Sequence, residues 1–197
     1  MMTLQSPHPE FVGRQRLLDG IDAAVQAADT HSTVTQVQRV LEQAIKDPQI
    51  VLPACVHAPV HDHYARREIY RSPQHGYSII AMTWGPGQGT PLHDHDGLWC
   101  VEGVWQGTLE ITPYQMLERQ GERYRFVPRD CLQGSKGSAG NLIPPDEFHT
   151  LRNSDEDQIA ISVHVYQGVM ERSHVFQPIG DAPHWYAREC RELGLDA

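Results

Sequence analysis

No apolar run in this 197-residue chain approaches the ~18 consecutive residues that a membrane-spanning helix requires. The first seven residues, Met1 to Pro7, contain no basic segment followed by an apolar stretch, so they lack the form of a secretory signal. The four cysteines, at positions 55, 100, 131 and 190, form no Cys-x-x-Cys pair. These absences predict a soluble, cytoplasmic protein with reduced thiols and no membrane partner.

A basic surface is missing as well. The formal net charge is −9, and nucleic-acid binding needs a basic stripe, so we expect no nucleic-acid partner. A small anionic substrate stays compatible with this charge, because one well-placed Arg outweighs a remote net charge locally. The chain also has no Gly-x-Ser-x-Gly elbow, which disfavours a serine hydrolase. The oligomeric state is left open by these patterns.

The remaining composition, with 40% hydrophobic and 21% charged residues, is ordinary for a globular protein, and we predict one domain over residues 1–197. Its first part, about 10–47, has the periodicity of two amphipathic helices. The first is expected from Phe11 to Asp29. The second is expected to begin after Ser32 and to end at Asp47-Pro48.

From about residue 59 to 180 short β-rich runs alternate with Gly and Pro turns. At least seven strands without intervening helices predict an all-β core, a sandwich or a small barrel. The tail at 188–193 is predicted to form a short helix. The clearest strand candidates are 77–84, 98–104, 107–114, 122–127, 140–143 and 159–166.

The most informative local pattern is His93-Asp94-His95, with Cys100 five residues further on. Histidines at i and i+2 of an extended segment point to the same side, because strand side chains alternate. His149, from a neighbouring strand, can complete one face of a metal and leave positions open for substrate and dioxygen. A second such pair, His61 and His63, has no partner at a suitable separation and is expected on the surface.

These residues are similar to the two cupin motifs, so the β-rich part is expected to be a cupin, a small β-barrel or double-stranded β-helix. Gly87, His93, His95 and Gly107 fit the first motif, and Cys100 stands where that motif has a Glu ligand. The second motif fits in part, at Pro144, His149 and Asn153, with Asp146 in place of Gly. Imidazoles bind Fe, Zn, Ni and Cu, so ligand type leaves the metal open. Without the Glu the metal keeps its full positive charge, which favours an anionic ligand such as a thiolate.

A strictly alternating strand follows at Ser162-Val163-His164-Val165-Tyr166. Ser162, His164 and Tyr166 share one face, and a polar inward face is costly unless its groups bond one another or a ligand. We therefore expect a hydrogen-bonded Ser–His–Tyr relay near the metal.

With these elements the chain resembles the cysteine dioxygenase family, cupin-fold thiol dioxygenases, and within it a bacterial member. The resemblance covers roughly residues 60–178 and also includes Tyr64-Ala65-Arg66. It implies that His93, His95 and His149 hold Fe(II), that a small thiol carboxylate and O2 are the substrates, and that both oxygens reach sulfur to give a sulfinate. L-cysteine is the first candidate substrate.

The resemblance also assigns roles to other residues. Tyr166, held by His164 and Ser162, steers the reactants, and Cys100 is placed for a thioether crosslink to Tyr166. Arg66, with Tyr64 beside it, binds the substrate carboxylate, since the planar guanidinium pairs with a carboxylate bidentately. Arg67 and Arg172 are the alternatives for that role.

Two other interpretations remain open at this stage. In the first, the substrate lacks an amine, as 3-mercaptopropionate and mercaptosuccinate do. In the second, the metal centre serves a Zn- or Mn-dependent isomerase or lyase, or a sensor that binds its ligand without turnover.

Overall fold

Two α-helices open the computed structural model, which describes residues 8–180 and 182–197. The seven N-terminal residues used above to judge the absence of a secretory signal therefore lie outside the described residues. Helix α1 spans Arg14–Ala24 and α2 spans Thr30–Lys46. The Asp29 carboxylate caps α2 by accepting a hydrogen bond from the Ser32 backbone N–H at 2.9 Å. The predicted second helix thus begins earlier than expected, because Asp29 rather than Ser32 satisfies the free N–H groups of its first turn.

The remainder of the chain forms a short 3₁₀ helix at Ala54–His57 and eleven strands. In chain order the strands are β1 Ala65–Arg71, β2 Ser78–Trp84, β3 Cys100–Gln106, β4 Thr108–Gln120, β5 Arg123–Pro128, β6 Leu132–Ser135, β7 Ala139–Leu142, β8 His149–Arg152, β9 Ala160–Tyr166, β10 Arg172–Pro178 and β11 Trp185–Glu192.

These strands form two antiparallel sheets, in the orders β1-β2-β9-β3-β7 and β10-β11-β5-β4-β6, with β8 beside β4. The all-β cupin core with two N-terminal helices is confirmed. Within the described residues, however, the pairing gives two sheets and no closed barrel. The helix predicted at 188–193 is wrong: this tail forms strand β11, because it pairs along its length with β10. None of the described helices is long and apolar enough to cross a membrane.

The alternation along β9 separates two cores. Ile161, Val163 and Val165 face α1 and α2, whereas Tyr166 belongs to a second cluster, with Trp84 and Cys100, between the sheets. Strand β3 alternates in the same way, so Cys100, Glu102 and Val104 lie on the inner face. Cys100 and Glu102 of β3 and Ser162, His164 and Tyr166 of β9 therefore lie on the inner face of the first sheet, with the helices packed on the other side.

Candidate metal centre

His93, His95 and His149 bring their ring nitrogens together at one end of the space between the sheets, all within 4.8 Å of one another. His149 begins β8, and the extended backbone of His93 pairs with it on one side and with Val175 of β10 on the other. The Nε2 atoms of His93 and His149 are 3.3 Å apart. His93 and His95 are close because they are two residues apart in sequence, and the pairing of His93 with β8 brings His149 beside them.

The three imidazoles are neutral, as metal ligands must be. Burial lowers the pKa of His93 to about 3 and that of His95 to about 4, and it holds the pKa of His149 well below its usual range. Nδ1 of His93 donates to the Pro91 carbonyl at 3.1 Å, which leaves Nε2 for the centre. Nδ1 of both His95 and His149 is buried without a hydrogen-bond partner. A donor set of three neutral nitrogens with open positions fits a divalent transition metal.

Two buried carboxylates lie behind these ligands. Glu147 Oε2 is 3.6 Å from Nδ1 of His95, and Glu102 Oε1 is 3.9 Å from Nδ1 of His149. Burial raises the pKa of Glu102 to about 8 and that of Glu147 to about 7. Neither residue is among the candidates predicted from the sequence. The signal for Glu102 was its place two residues after Cys100, on the same strand face.

The Ser–His–Tyr arrangement on β9 is present in the structure. Trp84 Nε1–H donates to Ser162 Oγ at 2.9 Å, and Ser162 Oγ lies 2.8 Å from Nε2 of His164. The other ring nitrogen of His164, Nδ1, lies 3.5 Å from the Tyr166 hydroxyl and 3.5 Å from Glu102 Oε2.

Cys100 lies directly opposite Tyr166 in the β3–β9 register, and its Sγ is 3.9 Å from Nδ1 of His164. The thiol is buried, and burial raises its pKa well above the usual range, which a hydrogen bond to Tyr166 partly offsets. Burial also raises the pKa of Tyr166. Thiol and phenol are therefore both protonated near neutral pH.

The histidines open onto a cavity whose wall includes Tyr64 and Arg66. Arg66 Nη1 donates to the Gly194 carbonyl at 2.9 Å. Arg67 turns to the opposite face, where its Nη1 lies 3.3 Å from Thr83 Oγ1, as strand alternation requires. Tyr64 stacks on Trp84 with ring centroids 4.5 Å apart. The cavity is completed by Met82, Thr90, Leu151, Met170, Ser173 and Leu193, together with His164 and Tyr166.

Other sequence candidates lie away from this cavity. Arg172 is exposed and paired with Asp96 at 2.7 Å, so the alternative that it binds the carboxylate finds no support in its position. Asp94 accepts from the ring and the backbone of His174, and so ties the ligand loop to β10. The second His-x-His pair is exposed, with His63 bonded to Asp62 and Asp196, which confirms its expected surface position.

Three converging neutral histidines and a buried polar relay between two antiparallel sheets define a cupin-type metalloenzyme. Residues 24–178 match the family model of cysteine dioxygenase type I, and the chain belongs to this family. It is therefore an oxygenase, and the zinc-type isomerase or lyase and the non-catalytic sensor fall away.

The chain is similar to curated cysteine dioxygenases type 1. It is 21% identical to that of Homo sapiens over 143 residues, which are 73% of this chain and 69% of the relative, and 22% identical to that of Rattus norvegicus over 144 residues, with the same shares covered. Among solved structures, a double-stranded β-helix protein from Klebsiella pneumoniae aligns with a TM-score of 0.45 and 17% identity, over 61% of this chain and 90% of that chain.

Proposed function

We propose that this protein is an Fe(II)-dependent thiol dioxygenase that adds both atoms of O2 to the sulfur of a small thiol carboxylate. L-cysteine, converted to cysteine sulfinate, is the first substrate. The observation that carries the proposal is the single cavity where His93, His95 and His149, the Tyr166 hydroxyl and the Arg66 guanidinium meet. The cavity thus offers a metal site for the substrate sulfur and dioxygen, a hydroxyl that can hydrogen-bond to them, and a guanidinium for the substrate carboxylate.

Fe(II) held by the three histidines would bind the substrate thiolate and supply the redox chemistry that activates O2. Arg66 binds the carboxylate and so fixes the distance and orientation of the sulfur, which converts an encounter into a positioned reaction. Tyr166, whose hydroxyl lies 3.5 Å from His164 Nδ1, directs its hydrogen into the cavity and hydrogen-bonds to the reacting sulfur or oxygen. The protein part of the mechanism is thus binding, orientation and one donated hydrogen bond.

An amine-free thiol acid is the second candidate, supported by two observations. No carboxylate lies among the described residues that line the metal cavity, so no acidic side chain pairs with a substrate ammonium there. Arg191 lines an adjoining outer cavity together with Tyr64 and Arg66. A second guanidinium beside the first suits a thiol with two carboxylates, such as mercaptosuccinate, whereas 3-mercaptopropionate needs Arg66 alone.

The test is oxygen consumption by protein loaded anaerobically with Fe(II), with sulfinate identified by mass. L-cysteine, 3-mercaptopropionate, mercaptosuccinate and cysteamine are compared, and cysteamine is expected to be a poor substrate because it has no carboxylate for Arg66. Zn(II)-loaded protein is the matched control, since zinc has no redox chemistry.

The outcomes separate the candidates. Uptake with cysteine supports a cysteine dioxygenase, and uptake with only the amine-free acids moves the substrate to the second candidate. If the Fe(II)-loaded protein consumes no oxygen with any of the four thiols, the proposal is wrong.

A further inference from the structure

The Nδ1 atoms of the three histidines, which face away from the proposed metal, have different neighbours. Nδ1 of His93 already bonds a backbone carbonyl. Nδ1 of His95 and Nδ1 of His149, the two unpartnered ring atoms, each face a buried carboxylate, Glu147 at 3.6 Å and Glu102 at 3.9 Å. Both gaps close to hydrogen-bond length with a movement of about 1 Å or less.

Glu102 lies two residues after the position at which the first cupin motif has its Glu ligand. The motif has a Glu ligand where this chain has Cys100, and Glu102 follows two residues later on the same inner face of β3. Two residues along a strand are about 6.7 Å. The carboxylate therefore lies behind His149 and outside the group formed by the three histidines, and it forms a second cluster with Cys100 and His164.

No cation of the described chain offsets Glu102. It also borders a second cavity of ≈ 180 Å³, whose wall is mainly apolar and contains no Lys or Arg. Its Oε2 is buried without a hydrogen-bond partner. Burial therefore favours the protonated form of Glu102, and its ionised form needs a positive charge nearby that the described side chains around it do not provide.

We infer that Glu102 and Glu147 are positioning residues of the metal centre, which accept the Nδ1 hydrogens of His149 and His95 and balance the two charges of a bound divalent cation. This inference rests on the metal centre of the proposed function. A carboxylate behind a ligating histidine fixes the ring orientation and increases the basicity of the other nitrogen. Because both negative charges stand behind the ligands, the open face of the metal keeps its affinity for an anionic thiolate.

Glu102 has a further partner that Glu147 lacks. Its Oε1 faces the metal ligand His149, whereas its Oε2 lies 3.5 Å from Nδ1 of His164 in the relay. Loss of the two carboxylates is therefore expected to have different effects. Loss of either weakens metal binding, and loss of Glu102 also disturbs the His164 ring that contacts Tyr166.

The experiment measures the dissociation constant of Co(II) by competition with a chelator, for wild type, Glu102→Gln and Glu147→Gln. Each substitution is expected to weaken binding by about 10- to 100-fold. The visible absorption of bound Co(II) is expected to shift in both variants, because the field of His149 or His95 changes. Glu156→Gln removes the same charge from an exposed loop and is expected to change affinity by less than about twofold.

A purely structural role is distinguished by the unfolding temperature of the metal-free variants. Replacement of a buried, uncompensated carboxylate is expected to leave this temperature unchanged or to increase it, whereas the loss of a packing residue would lower it. Co(II) affinities equal to wild type in both Gln variants would overturn the inference. Failure of the wild type to bind Co(II) would instead refute the metal centre, and metal binding without oxygen consumption would refute the proposed reaction alone.

Discussion

Cys100 and Tyr166 lie directly opposite each other on β3 and β9, and this pairing places a thiol beside a phenol in a buried site. Opposed residues of an antiparallel pair have Cβ atoms about 4.5–5.5 Å apart. A thioether between Cys100 Sγ and the Tyr166 ring forms with the loss of two hydrogens and needs an oxidant, for which O2 at the loaded metal centre is available in the proposed reaction.

We therefore expect Fe(II)-loaded protein exposed to O2 and substrate thiol to show an intact-mass deficit of two hydrogens in part of the sample. Cys100→Ser removes the nucleophilic sulfur and is expected to abolish the deficit. Cys131→Ser, at an exposed thiol, is the matched control and keeps it. A deficit that persists in Cys100→Ser would contradict the assignment.

Arg66 and Arg67 are adjacent in sequence but serve opposite faces of β1. Arg66→Lys is expected to lower kcat/KM by about 10- to 100-fold, because a point charge replaces a bidentate fork. Most of the change should appear in KM, since the carboxylate is bound in both ground and transition states. Steady-state kinetics with the best thiol substrate measure both constants.

The adjacent Arg67→Lys serves as the control. Arg67 bonds Thr83 and the Ala197 carbonyl, so this change is expected to affect stability and leave KM near the wild-type value. The reverse pattern, with KM raised by the Arg67 change only, would mean that the wrong arginine has been assigned to the carboxylate.

At the scale of elements, the inner face of β3 carries Cys100 and Glu102 while its outer face receives helix α2. A Cβ built on Gly103 would lie 2.7 Å from Ile45 Cδ1 and 2.9 Å from Leu41 Cδ2. The absence of a side chain at this position lets the helix pack closely on the strand. Helix docking and site geometry are thus coupled through a single strand.

Gly103→Ala is consequently expected to destabilise the protein by about 1–3 kcal/mol, because the helix or the strand must move to make room. Urea unfolding followed by circular dichroism gives the free energy of unfolding. The matched control is Gly140→Ala on β7, which stands opposite Glu102 in the sheet and has open space around its Cβ position. Equal destabilisation by the two changes would show that helix packing on Gly103 is not the cause.

At the scale of the whole molecule, the site is assembled from segments distant in sequence, and the C-terminal tail helps to enclose it. The Asp196 backbone N–H donates to the Arg66 carbonyl at 2.7 Å, and the Asp196 carboxylate accepts from the Arg66 N–H at 2.8 Å. Leu193 from the same tail lines the metal cavity. The tail thereby covers the outer edge of β1, a sheet edge that would otherwise expose its backbone groups.

The concentration of buried ionisable groups at the centre predicts how the stability of metal-free protein depends on pH. Burial lowers the folded-state pKa of His93, His95, His149 and His164 below the ordinary 6.5, so the unfolded chain binds more protons below that pH. Stability gained from these groups therefore rises up to about pH 6.5. Glu102 and Glu147, with pKa raised from 4.5 to about 8 and about 7, act oppositely, since the folded state holds their protons longer.

Below pH 6.5 the effect of the four histidines exceeds that of the two glutamates, and of these six groups only the glutamates still titrate differently above pH 6.5. We expect the unfolding free energy of metal-free protein to be greatest near pH 6.5 and to fall toward pH 8. Co(II) is expected to remove the fall, because its charge favours the ionised carboxylates. Urea unfolding at pH 5, 6.5 and 8, with Co(II) or with EDTA, measures this. Stability that keeps rising to pH 8 without metal would contradict the assigned pKa directions.

Local periodicity determined much of this protein from the sequence alone. The spacing of His93 and His95, the alternation of Ser162, His164 and Tyr166, and the opposed directions of Arg66 and Arg67 all follow from strand geometry, which acts over a few residues. The family and the all-β core with two helices were predictable for the same reason, because motif and pattern are local properties.

Tertiary structure alone decided what stands behind and around these residues. Glu102 and Glu147 lie near the histidines only because β3, β8 and the ligand loop meet, and the assignment of the 188–193 tail to a strand depends on its pairing with β10. Arg172, an alternative candidate by sequence, is exposed and paired with Asp96, away from the metal cavity. Contacts between residues of different strands depend on strand register and burial. Both are set by residues far apart in sequence, so local sequence patterns do not predict them.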